Sequence, residues 1–495
     1  MNLKQIFQKN KFIVTLLFIV FILRIPSLFE PYWYGDEGIY LTLGLAIKKG
    51  FLLYRDIFDN KPPLIYLLAA VANGTMFWFR FLLMISVLAT ILFFHKLGRA
   101  LQINDKSIKV STVVFSLLTT IPFIEGNIAN AEIFILLPTI LAIYLLSPYL
   151  FSKERVISPL KIFLIGIIFG VGLLLKVPAV FDFFTIIVFL VLFKKENSLV
   201  NIGRKEILLI LGYSLPVLIT GLFFLSKSAF SVFFNSCFLQ TTGYLFSWKT
   251  GSHTFSYSSL LKSGLVLNVM LTFFLTFILW LKKKKTDSLL VFLAIWFLFS
   301  LFAATLSGRP YSHYLLQTVP PFSLIIGVFL TKQIKKHYLV FAITIFLLIS
   351  NCLHYKFWTY PTFSYYRNFT EFALGKKDKS SYFSFFSQKM PQIYKLAEFI
   401  TESTQPQDKI FIWADEPCLY PLSRRLPATP YVVAYHIIER NNYQAAGKQI
   451  LYAKPALIVF DPNIEKFPQL EAILAKEYLE VNSTAGFMVF KRRAL

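Results

Sequence analysis

Tyr34-Gly35-Asp36-Glu37-Gly38 stands between two apolar stretches, and Asp59-Asn60-Lys61-Pro62-Pro63 follows it, just before another apolar run at residues 64–76. Adjacent carboxylates and a lysine are costly among membrane-compatible segments, and charged groups at a membrane boundary mark chemistry or a path for charge. The island is therefore either a catalytic site or a well-capped loop between apolar segments, and the membrane reading of its surroundings decides the fold.

The surrounding composition supplies that reading. Of 495 residues, 56% are hydrophobic and only 15% charged, whereas a soluble domain carries about a quarter charged residues. Apolar runs near the length needed to cross a bilayer recur from residue 12 to residue 355. The chain therefore reads as a polytopic α-helical membrane protein. Its net charge of +24 sits between hydrophobic spans, so membrane lipids bearing phosphate are the expected partners, and nucleic acid is not. Cys237, Cys352 and Cys418 are scattered without metal or redox spacing; they read as isolated thiols, a Cys237–Cys418 bridge being the one alternative. Lys4, Lys9 and Lys11 precede the apolar run 12–23, which lacks a small-residue cleavage site and reads as an uncleaved first span.

Basic residues collect in cytoplasmic loops. Six clusters stand out: Lys4/Lys9/Lys11, Lys96/Arg99/Lys106/Lys109, Lys153/Arg155/Lys161, Lys194/Lys195/Arg204/Lys205, Lys282 to Lys285, and Lys332/Lys335/Lys336. Placing all six inside puts 30–63, 125–132, 176–182, 227–262 and 307–313 outside. The alternation closes with about eleven crossings: 12–29, 78–97, 110–124, 133–150, 161–176, 179–193, 207–226, 263–281, 288–306, 314–330 and 338–355. Residues 64–76 are too few to span and read as a re-entrant or interfacial helix. The amino terminus is then cytoplasmic and the carboxy terminus extracytoplasmic.

Three regions follow: a transmembrane domain over 1–355, an interfacial linker over 356–390 rich in aromatic residues such as Trp358, Tyr360 and Tyr365, and a small extracytoplasmic α/β domain over 391–495. In the last, strands are expected at 409–413, 431–434 and 456–460, with helices at 392–403, 439–453 and 467–476. It has no glycine-rich phosphate loop, so it reads as a packing or acceptor-recognition module.

Topology alone gathers Asp36, Glu37, Asp56, Asp59, Glu125, Glu132 and Asp182 at one face with Arg55, Lys61, Lys176, Arg309 and His313. Such a mixture suits a reaction needing a general base and a clamp for an anionic leaving group. Each member also has a plainer reading. Asp36 could cap the amphipathic run 38–47, with Glu37 favoured by the helix dipole. Lys61 could be a loop lysine before the stiff Pro62-Pro63. Lys176, ending the apolar run Val171 to Leu175, could snorkel to the interface. Glu132 could be a helix-start carboxylate, and His313 an interfacial residue.

Taken in order, Asp36-Glu37, Lys61-Pro62-Pro63-Leu64, Glu132, Lys176-Val177-Pro178 and Gly308-Arg309 with His313-Tyr314 resemble the GT-C type integral-membrane glycosyltransferases of the protein O-mannosyltransferase class, including the lipid A aminoarabinose transferases. The resemblance covers roughly residues 10–355. It implies an inverting enzyme that moves a sugar from a polyprenyl-phosphate donor to an acceptor on the outer face of the cell inner (cytoplasmic) membrane. By it Asp36, Glu37 and Glu132 are catalytic carboxylates, with Asp36 the base; Lys61, Lys176, Arg309, His313 and Arg55 hold the donor phosphate. Many relatives carry aspartate where this chain offers Glu132 or Glu125, so the second carboxylate is either of those two. No cofactor is fixed by the sequence, and a divalent metal is left open because no ligand cluster speaks to it. A transporter or flippase of polyprenyl-linked or anionic lipids is the alternative; it requires ionisable residues deep in the spans, where Arg24 is the visible exception.

Overall fold

The computed structural model describes residues 3–151, 157–193, 199–240, 265–282, 286–331 and 338–493. The expected basic groups Lys153/Arg155, Lys194/Lys195, Lys283 to Lys285 and Lys332/Lys335/Lys336, and residues 241–262 of the expected outer loop, lie outside the described residues. Among the described residues, seven helices are long and apolar enough to cross a membrane: Asn10–Phe29, Met76–Ala100, Ala131–Phe151, Gly203–Ser226, Ser288–Thr305, Ser312–Leu330 and Tyr338–Tyr355. Four shorter apolar helices, Pro159–Leu175, Val177–Leu192, Phe230–Leu239 and Leu265–Leu281, accompany them.

Two differences from the sequence reading have physical causes. The span expected at 110–124 is a helix only over Asp105–Leu118, capped by the Asn104 side chain accepting from the Ser107 N–H. Its buried Ser107, Ser111, Thr112 and Ser116 make a hydroxyl stripe that faces protein, and a 3-10 turn at Pro122–Ile124 then leads to Glu125 in the left-handed region, φ 62°. Residues 356–390, expected as a linker, carry the helices Thr362–Ala373 and Lys379–Ser384.

The chain divides into two compact units. The helical unit comprises Met1–Ile25, Leu83–Lys227 and Cys237–Thr362. Within it, Gly166 and Gly170 of the helix Pro159–Leu175 lie directly on the backbone around Gly212 of the helix Leu199–Ser226, with no room for a Cβ at any of the three. Small residues spaced by four let membrane helices approach this closely.

The mixed unit comprises Pro26–Leu82, Ser228–Ser236 and Phe363–Leu495. Helix α1 (Gly35–Lys48) starts with Asp36 and Glu37, the signs its dipole favours, and is buried from Glu37 to Ala46. Against it packs α2 (Leu64–Val71). At their crossing a Cβ on Gly44 would stand 2.5 Å from the carbonyl carbon of Ala69. Gly44→Ala is therefore expected to push the helices apart at a cost of about 1–3 kcal/mol, read as a lowered thermal midpoint of the purified protein; an unchanged midpoint would show that the crossing yields freely.

Helix α3 (Met76–Ala100) contributes its first turns, to Leu82, to the mixed unit. The rest of this unit is α/β. Strands β1 (Lys409–Trp413), β2 (Leu426–Pro427), β3 (Leu457–Phe460), β4 (Tyr478–Thr484) and β5 (Phe487–Arg492) form one sheet in the order β2-β1-β3-β5-β4. β2, β1 and β3 are parallel, with Ile410 opposite Leu457, and β5 and β4 close the sheet as an antiparallel hairpin. The β1 and β3 strands and the three helices fall where the sequence pattern puts them; Tyr431 to Ala434 is not a strand, although Val432, Val433 and Ala434 are buried. Its apolar run reflects burial in a bend, and burial alone does not distinguish strand from loop. The core joins Phe411, Trp413, Ile437, Ile450, Ile458 and Phe467 to Phe58, which comes from the loop between α1 and α2.

Candidate active site

The mixed unit brings Asp36 and Lys61 together. Tyr34, not Asp36, occupies the cap position of α1, and no side chain caps the helix; the capping role expected as one reading of Asp36 is corrected. Asp36 instead lies in the first turn and accepts a hydrogen bond from the Tyr40 hydroxyl one turn on, at 3.2 Å. Lys61 Nζ stands 3.6 Å from Asp36 Oδ1 and 3.7 Å from Asp59 Oδ2, above the Tyr40 ring at 5.0 Å from its centroid. The side chains of Lys61 and Asp36 are 17% and 28% exposed, so both are reachable from solvent.

Lys61 is held by its backbone. Its carbonyl accepts from the Tyr54 hydroxyl at 2.8 Å, and its N–H donates to the Tyr66 oxygen at 3.0 Å. Tyr66 in turn donates to Asp59 Oδ2 at 2.8 Å. Asp59 is buried. Burial opposes its ionisation, yet Lys61, His436 and the Asn60 N–H outweigh that and hold its carboxyl well below the usual carboxylate range. His436 Nε2 lies 3.6 Å from Asp59 Oδ1. Burial and the neighbouring Asp59 push the Tyr66 phenol up, keeping it a donor.

Glu37 does different work from its neighbour. It is fully buried and receives Arg80 bidentately, Nε to Oε1 at 2.8 Å with Nη2 on Oε2. Arg80 also pairs with Glu30 at 2.7 Å and donates to the Ser27 carbonyl at 2.8 Å. Glu30 accepts from Trp33 and from Tyr365 at 2.8 and 2.6 Å. The expectation of a catalytic Glu37 is corrected: a carboxylate fully enclosed by a guanidinium fork does not reach a substrate, and its chemistry is to anchor α1 beside α3. Arg55, expected as a phosphate contact, is exposed and pairs with its neighbour Asp56 at 2.8 Å.

The helical unit holds a second polar chain. His313 bonds Glu125 through Nδ1, and its Nε2 lies 3.4 Å from Glu132 Oε1. Glu132 also pairs with Lys176, whose ammonium sits 4.6 Å from the Tyr314 ring centroid. Lys176 follows the helix Pro159–Leu175 in extended backbone and points to Glu132, so it does not snorkel. Arg309, buried, follows the left-handed Gly308. Nearby, Gln317 donates to the Pro178 carbonyl at 2.9 Å and to Asp182 at 2.8 Å. Of the expected residues, Glu132, Lys176 and His313 thus touch one another, while Asp36 and Lys61 form the group in the mixed unit. Among the described residues no set of three His, Cys, Asp or Glu side chains is placed to hold a metal ion.

Two ionisable groups inside the apolar helices, Arg24 and Asp182, have internal partners. Arg24 donates to the carbonyls of Thr119 and Gly126 at 2.9 Å each, and Asp182 accepts from Trp296 and Gln317 at 2.8 Å. Arg80, Glu30 and His436 escaped the sequence reading. An arginine between Phe79 and Phe81 in an apolar run demands a buried counter-charge, and that signal was available. His436 carried none.

In shape, the chain matches ArnT from Cupriavidus metallidurans bound to undecaprenyl phosphate, with a TM-score of 0.59 and 12% identity over 98% of each chain. The fold is GT-C-like. The apo state of the same ArnT gives this GT-C-like match again, at TM-score 0.57 and 13% identity over 98% of each chain. The archaeal oligosaccharyltransferase AglB from Archaeoglobus fulgidus, in complex with an inhibitory peptide and a dolichol-phosphate, matches at TM-score 0.49 and 12% identity over 92% of this chain and 70% of its own. No curated protein matches the chain in sequence. Residues 392–493 match the family described as "Putative competence-induced protein Ccs4 C-terminal domain".

Proposed function

We propose that this protein is an inverting glycosyltransferase that moves a sugar from a polyprenyl-phosphate donor to an acceptor hydroxyl or phosphate on the outer face of the cytoplasmic membrane. The observation that carries this is the Asp36–Lys61 pair, a solvent-reachable base and cation 3.6 Å apart, set in a chain with a GT-C-like fold. That the ArnT structure of the same fold holds undecaprenyl phosphate supports a lipid phosphate as the donor's anchor here.

For a hydroxyl acceptor, the acceptor oxygen attacks the anomeric carbon while Asp36 takes its proton. The bond from that carbon to the phosphate oxygen breaks, and its electron pair leaves on the phosphate. Lys61, shared loosely between Asp36 and Asp59, turns to that developing charge, where a fixed cation stabilises the transition state. By the sequence resemblance we assign Lys176, Arg309 and His313 a share in holding the phosphate, and Glu132 or Glu125 the role of second carboxylate. The basic-loop pattern supports a cytoplasmic amino terminus and an extracytoplasmic carboxy terminus; a tag on residue 495 should be labelled from outside intact cells, and labelling only after lysis overturns that orientation.

The test offers the purified protein a panel of polyprenyl-phosphate sugars and follows carrier-phosphate release together with a glycosylated product. Product from none of them rejects the reading. With the active donor, Lys61→Met is expected to raise the donor KM roughly tenfold to a hundredfold, the worth of one charge-assisted hydrogen bond. An unchanged donor KM removes Lys61 from the phosphate.

A further inference from the structure

We propose that His436 is a positioning residue for Lys61, acting through Asp59 to set how firmly that lysine is held back from an anionic ligand. The proposal rests on the reading of Lys61 as the phosphate contact. It makes the carboxy-terminal segment part of the site's machinery, beyond the packing or acceptor-recognition role its sequence suggests.

Asp59 is buried and meets a nitrogen-bearing side chain at each oxygen: the Lys61 ammonium at Oδ2 and the His436 imidazole Nε2 at Oδ1, at 3.7 and 3.6 Å. The imidazole is buried too, set edge-on to Phe58 with centroids 5.1 Å apart. Its Nδ1 makes no hydrogen bond among the described residues, so packing and Asp59 alone orient the ring. The surrounding segment is fixed to the same loop. Phe58 N–H donates to the Pro430 carbonyl at 2.9 Å, and the Arg440 guanidinium lies 3.7 Å above the Phe58 ring. On the α1 side, Thr42 donates to the Pro417 carbonyl at 3.1 Å. The other titratable or charged groups around the imidazole are Tyr435 beside it, Asp415, which accepts from the Tyr435 N–H, Tyr431 and Arg440 against Phe58, and Tyr66 on Asp59.

The positive edge of an imidazole N–H at one carboxylate oxygen offsets part of the negative field that the other oxygen presents to Lys61. With His436 at Oδ1, Lys61 is released more readily to a phosphate. Without it, Asp59 keeps the ammonium.

The experiment uses full-length protein in detergent with undecaprenyl phosphate as the probe. His436→Asn is expected to weaken its binding roughly threefold to tenfold. In an Asp59→Asn background the same substitution is expected to change nothing, because its route is gone. An equal loss in both backgrounds, or none in either, overturns the proposal. If Lys61→Met binds the probe as tightly as the parent protein, the phosphate reading alone has failed. The link to Lys61 is then read directly from acylation of Lys61 relative to exposed Lys376: slowed by His436→Asn and restored by adding Asp59→Asn, with an unchanged ratio overturning it. Should His436→Asn not fold, His436→Gln is read by the same acylation ratio and is expected to slow Lys61 in the same way; an unchanged ratio overturns the proposal.

Discussion

Asp36→Asn is expected to lower transfer by about a hundredfold to ten-thousandfold, the usual contribution of a positioned general base, while the protein still inserts and unfolds at its ordinary temperature. The reason for that separation is geometric. Asp36 caps nothing: Tyr34 holds the cap position, and among the described residues the Asp36 side chain meets Tyr40 and Lys61. An amide in its place still accepts from Tyr40 but takes no proton. Turnover and thermal midpoint measured on the same preparation decide the matter. Near-normal turnover removes Asp36 as the base, and a collapsed midpoint would make it a structural residue.

Arg80→Met is expected to have the largest effect on the fold. It leaves Glu37 and Glu30 buried without their cation, and breaking a buried pair by removing one partner typically costs about 3–5 kcal/mol. Lysine does not substitute well, because three acceptors are gripped here by one planar fork: Glu37 on both oxygens, Glu30 and the Ser27 carbonyl. Little folded protein is expected from Arg80→Met, with Arg80→Lys intermediate, scored by yield after detergent extraction and by thermal midpoint. Recovery of stability in the triple replacement Glu30→Gln, Glu37→Gln, Arg80→Met would show that the cost is unpaired charge and not lost volume. Full stability of Arg80→Met alone would refute the account.

The two neighbours in Asp36-Glu37 illustrate what a sequence discloses. Helical spacing puts consecutive residues about 100° apart around α1, so one carboxylate turns toward Lys61 and the other toward Arg80. Reading them as a pair of equals missed this, because which side of a helix meets a cation is decided by distant chain. Hydrophobic run length and basic loops were enough for the membrane class, and the order of polar motifs was enough for the GT-C-like fold. Helices whose hydroxyls face protein, such as Asp105–Leu118, defeat a run-length rule. The hairpin of β4 and β5 was invisible for another reason: its residues alternate weakly, with Leu479 and Val481 exposed, so period-two patterning had little to report. His436 could not be found at all, since it meets Asp59 across 377 positions of chain.

The mixed unit is assembled from Pro26–Leu82, Ser228–Ser236 and Phe363–Leu495, and that discontinuity has a consequence in time. A ribosome releases the segment bearing Asp36 and Lys61 early, yet Phe58 finds the rest of its core in Phe411, Trp413, Ile458 and Phe467 only after every hydrophobic helix has been threaded. A chain halted after the helix Tyr338–Tyr355 would be inserted but lack the sheet that its early loop needs. Synthesis order thus leaves the early loop waiting: Phe58 gains its packing partners only once the chain has been made past Phe467.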